Sequence, residues 1–155
     1  MVKGDRMKIK RINVLSSQFL FNALIILSIL VILDMVFPNI GRMVGPYVLI
    51  LWILFFFTGV GLIITTYKEK ISGKHKFFLL SSGISSASFL LCVVLHNLLY
   101  ALGTITENLV VLNKIINFFE VAFFFAAVII SPVILIIGIV GTLIILKKPS
   151  NVINS

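Results

Sequence analysis

The side chains with the greatest chemical capacity in this chain stand near one set of ends of long apolar runs. They are Asp34, the neighbours His96 and Asn97, and Glu120, with Tyr100 one helical turn beyond His96. Ionisable groups at membrane depth are costly, and they often mark a pathway or a site. Two carboxylates and an imidazole can hold a divalent cation, or share and pass a proton. Phe118, Phe119 and Phe123 to Phe125 surround Glu120 with aromatic rings. Counting about 20 hydrocarbon-core residues outward from Lys147 puts Glu120 in the interface, with His96 and Asp34 near the same boundary. The cluster therefore suits three readings: an interfacial hydrogen-bond clasp, a ligand, proton or ion site whose metal is unspecified, or independent solvated residues.

The elements that must position these groups are plain. Apolar runs cover residues 16–37, 46–67, 77–102 and 118–146. Each is long enough to cross a hydrocarbon core about 30 Å thick as a helix. Of the 155 residues, 60% are hydrophobic and 12% charged, against about 25% charged in an average soluble domain. The expected fold is an all-α membrane protein: one domain over residues 1–155, built as a four-transmembrane-helix bundle. The first run exceeds the usual signal-peptide core of about 7–15 residues and lacks a small-residue cleavage site, which predicts a retained helix. Pro38, Gly41, Gly45 and Pro46 punctuate the first turn, and Ser72-Gly73 breaks the second loop. Gly103 is expected to end the third helix. Thr104 and Glu107 then stand at capping-box spacing before a short interfacial helix at 105–116. The tail after Pro149 reads as frayed.

Charge sets the orientation. Lys3, Arg6, Lys8, Lys10, Arg11, Lys68, Lys70, Lys74, Lys76, Lys147 and Lys148 fall on one side if the runs alternate. Only Arg42 and Lys114 remain for the other side. The positive-inside rule puts both termini in the cytoplasm, as in a multi-pass protein of a prokaryotic plasma membrane. The net charge of +8 is thus assigned to topology and to anionic headgroups, not to nucleic acid. The lipid bilayer is the first partner, with a membrane-protein partner or a homo-oligomer as the second.

Two stripes predict how the helices meet. At about 100° per residue, Ser81, Ser85, Ser88, Cys92, His96 and Tyr100 fall within one arc of the third helix. On the fourth, Glu120, Ala127, Ser131 and Gly138 nearly superpose, with Thr142 beside them. Small residues let membrane helices approach closely, so the two stripes are expected to face each other. Pro132 removes a backbone hydrogen bond in the fourth helix and predicts a kink.

Motifs for enzymatic chemistry are missing. The single cysteine, Cys92, rules out an intramolecular disulfide. There is no Gly-rich phosphate loop, Ser-His-Asp set or zincin motif, and His96 lacks a second membrane histidine for haem. No cofactor is expected.

The segment Leu95-His96-Asn97-Leu98-Leu99-Tyr100-Ala101-Leu102, followed by Glu120 in its aromatic run and the Ser131-Pro132 break, resembles small four-helix integral membrane proteins of bacteria and archaea. That resemblance covers under half of the chain. It implies a pairing of His96 with Glu120 and brings no activity with it. Three functional expectations follow. The first is a non-enzymatic bundle that works by binding, as an accessory subunit or an immunity-like protein. The second is a small proton- or ion-coupled transporter or channel using Asp34, His96 and Glu120. The third is a lipid-directed enzyme using the same residues as acid and base, which lacks a nucleophile motif.

Overall fold

The computed structural model describes residues 3–37 and 46–147. In hydrocarbon no water is available to the backbone, so each apolar run must satisfy its own amides and carbonyls as a helix. Four helical spans result, each long and apolar enough to cross a membrane, and no strand occurs among the described residues. Helix α1 is Lys3–Val36, α2 is Pro46–Lys68 and α3 is Gly73–Ile105. The fourth span, Val110–Lys147, joins α4 (Val110–Phe125), a π turn (Ala126–Ile130) and α5 (Ser131–Lys147). The expected turn at Pro38, Gly41 and Gly45 and the expected frayed tail after Pro149 lie outside the described residues.

Several expected boundaries are corrected. The apolar span of α1 starts at Ser16, as expected, within a helix that extends back to Lys3, and α3 runs past Gly103 to Ile105. The interfacial helix expected at 105–116 and the span expected at 118–146 are one continuous element. The Thr104–Glu107 capping box does not form. Thr104 instead donates its hydroxyl to the Tyr100 carbonyl at 3.2 Å, back along its own helix. The chain reverses over 106–109, where the Leu109 amide reaches the Thr106 carbonyl at 2.8 Å.

Near Pro132 the helix widens. The Ser131 amide bonds to the Ala126 carbonyl five residues back, closing the π turn directly before the proline. Proline has no N–H and crowds the carbonyl four residues behind it. A wider turn relieves that crowding, which is why π turns recur at such breaks.

Consecutive helices run antiparallel, with α3 at the centre. It packs on α2, α4 and α5, whereas α1 packs on α2. One end of the bundle carries Ser16, Lys68, Gly73 and Lys147; the distal end carries Asp34, Ile105 and Val110. Phe21 and Leu24 of α1, Phe55 and Leu62 of α2, Leu79 and Phe89 of α3, and Leu135 of α5 form the buried core. Trp52 packs edge-on against Phe89 at 5.6 Å.

Polarity is inverted relative to a soluble domain. Ser28, Thr66, Ser82, Ser85, Ser86, Ser131 and Thr142 are buried, while Phe57, Ile64, Ile136 and Ile144 point outward and are exposed. Association in lipid rests on close packing and interhelical hydrogen bonds, and both need small residues inside. Ser86 donates to the Phe55 carbonyl of α2 at 2.6 Å. Ser85 donates to the Ser131 carbonyl of α5. Gly59 and Gly83 meet so closely that a Cβ on either would lie 2.8 Å from the carbonyl oxygen of the other. The stripe read as Ser81, Ser85 and Ser88 is thus shifted in part. Ser85 is buried against α5, but Ser81 and Ser88 are only half-buried, and Ser82, Gly83 and Ser86 supply close contacts to the neighbouring helices. Ala127, Ser131 and Gly138 are buried on the fourth span, and a Cβ on Gly138 would lie 2.8 Å from the Ser82 amide nitrogen.

Candidate functional site

The antiparallel packing of α3 on α4 brings His96 to Glu120. Imidazole Nδ1 lies 3.6 Å from Glu120 Oε1 and 3.3 Å from the Glu120 backbone oxygen. The side chains are only 26% and 19% exposed, so the contact is partly shielded from water. The Phe124 ring lies 5.3 Å from the imidazole and forms one wall. When Nδ1 carries the proton it donates to the main-chain oxygen.

Glu120 also lines a polar cleft of about 430 Å³ between the end of α3 and the start of α4, together with Tyr100, Gly103, Thr104, Glu107, Asn113 and Asn117. Asn113 ties the two helices, donating from Nδ2 to the Gly103 carbonyl at 2.7 Å. Asn117 Nδ2 in turn donates to Asn113 Oδ1 at 2.9 Å. Gly103 is buried beneath them, where a Cβ would sit 3.0 Å from Asn117 Oδ1. The cleft offers two carboxylates, amide oxygens and hydroxyls. Such a lining suits a ligand rich in hydrogen-bond donors.

The remaining candidates are spread out. Tyr100 is 64% exposed at the cleft mouth. Asn97 is exposed and turns its amide back to the Val93 carbonyl at 2.8 Å, away from the pair. Asp34 is half-buried on α1 and makes neither an ion pair nor a hydrogen bond with His96 or Glu120. The reason is placement: α1 packs on α2, and the pair joins α3 to α4. Among the described residues no group of three His, Cys, Asp or Glu side chains is arranged to hold a metal ion. Sequence reasoning missed Asn113 and Asn117 as lining residues. Their spacing from Glu120, seven and three residues, is the signature of one helical face and was the available signal.

Family models, curated proteins and solved structures contain no match to this chain.

Proposed function

We propose that this is a non-enzymatic integral membrane protein that works by binding another membrane protein, as an accessory subunit or an immunity-like protein. In this reading it spans a prokaryotic plasma membrane with both termini in the cytoplasm. One observation carries the reading. Helices α2 and α3 meet at the lysine-rich end, but α2 has 23 residues and α3 has 33. At about 1.5 Å per residue, α3 and its partner α4 outreach α2 by roughly 15 Å. Beside its polar cleft the overhanging hairpin presents exposed apolar side chains: Ile105, Val110, Val111 and Phe118 are each 65–78% exposed. A bilayer matched to α2 leaves that surface uncovered, and large exposed apolar patches are characteristic of interfaces.

Photo-crosslinking residues placed at Val111, Ile115 and Phe118 in native membranes test the reading. Discrete protein adducts are expected there, with lipid adducts alone at Ile64 and Ile144. Lipid adducts at all five positions overturn it.

The partly buried His96–Glu120 pair beside an open polar cleft favours a second reading, a small proton- or ion-coupled transporter or channel. Proton or cation flux in proteoliposomes that disappears in Glu120→Gln supports it. Flux unchanged in that variant removes it.

A further inference from the structure

Thr142 of α5 is fully buried, and its hydroxyl oxygen has no hydrogen-bond partner among the described residues. Other buried hydroxyls behave differently. Ser28, Thr66 and Ser82 return theirs to the carbonyl four residues back in the same helix. A buried polar group left unpaired costs about 1–3 kcal/mol, so Thr142 calls for a partner.

It lines a cavity of about 30 Å³ near the lysine-rich end, together with Ser17, Gln18 and Phe21 of α1 and His75 and Leu79 of α3. That is more than the roughly 10–15 Å³ needed to hold a water, and waters in such sites make about three hydrogen bonds. Residues of three helices line this one space, and the Thr142 hydroxyl is the buried polar atom there that lacks a partner among the described residues. We infer that the cavity is a specific site for a single ordered water, held by the Thr142 hydroxyl with Ser17, Gln18 and His75. The water joins α1 to α5, two helices that otherwise pack on different neighbours, α2 and α3. A second cavity provides the contrast. It is larger, about 40 Å³, and is lined by Val31, Phe55, Phe89 and Leu135. The serines beside it, Ser28 and Ser85, have already given their hydroxyls to carbonyls. Apolar cavities of this kind stay dry.

Radiolytic hydroxyl-radical labelling of the purified protein, read by peptide mass spectrometry, tests the site, because a buried ring is labelled only if a water lies beside it. Phe21 and Phe55 are 0% and 2% exposed and serve as matched reporters. Phe21 is expected to be labelled well above Phe55. Thr142→Val keeps the shape and removes the hydroxyl, so Phe21 labelling should fall to the Phe55 level, while Thr142→Ser should retain it. Equal labelling of the two rings in the unaltered protein overturns the inference without relying on any variant. So does full Phe21 labelling in Thr142→Val. A Thr142→Val protein that melts higher than the parent also overturns it, since this would mark the hydroxyl as truly unpaired.

Discussion

Ser85 of α3 donates its hydroxyl to the carbonyl oxygen of Ser131, the residue directly before Pro132. The bond joins two helices at the point where the fourth span departs from α-helical spacing. It pins α3 to α5 beside the break, one residue before the proline, whose missing N–H frees a carbonyl a turn earlier, not that of Ser131.

Ser85→Ala should therefore lower the melting temperature in detergent, with a cost of about 0.6 kcal/mol, the average for side-chain hydrogen bonds in membrane bundles, and at most about 1.7 kcal/mol. Ser85→Leu should cost about 1–3 kcal/mol more through overpacking. Ser88 is only half-buried, so Ser88→Leu should be close to neutral. Equal losses at the two positions would mean that the helix is rotated from the orientation described.

The glycines of α2 make a sharper contrast. A Cβ on Gly59 would lie 2.8 Å from both the Gly83 carbonyl oxygen and Ser86 Cβ, whereas one on Gly61 meets only the flexible end of Leu20 at 3.4 Å. Backbone cannot yield as a side-chain tip can. Gly59→Ala is expected to destabilise the bundle by about 1–3 kcal/mol, with Gly61→Ala tolerated. Thermal unfolding followed by circular dichroism separates the two.

For the distal pair, His96→Gln and Glu120→Gln should be non-additive in stability. A coupling of about 0.5 kcal/mol or more is usual for contacting residues. Asp34→Asn should add independently to either, because Asp34 stands on another helix pair. Full additivity between His96 and Glu120 would remove the contact from the argument.

How much could be read in advance follows from range. The four spans and the proline break depend on composition within one run, which the sequence reports directly, and the nearness of His96 to Glu120 needs only that consecutive helices pack antiparallel. The place of Asp34 depends on which helix α1 chooses as neighbour, and no spacing records that choice. The stripe on α3 was legible only on one side. The arc through Ser85 points inward, but it leaves out Ser82, Gly83 and Ser86, which pack on α2 and α5, because two packed faces on one helix blur a single arc. The capping box failed for a local reason. A threonine in an apolar helix bonds back to its own backbone more cheaply than it ends the helix. The π turn leaves no mark in a fixed 100° projection, which assumes the spacing that the turn alters.

The serines of α3 also impose a timetable on synthesis. Ser82 arrives with its hydroxyl already bonded to the Phe78 carbonyl of its own helix, and Ser86 finds its acceptor in α2, which the ribosome has made before it. Ser85 must wait, because its acceptor lies in α5, which emerges after α3. A nascent chain halted after Ile105 should therefore hold α2 and α3 together but remain bound to insertion machinery at Ser85, detectable by a crosslinker at that position. Extension through Lys147 should release it. Release of the shorter chain would show that α3 does not depend on α5 for its place in the bilayer.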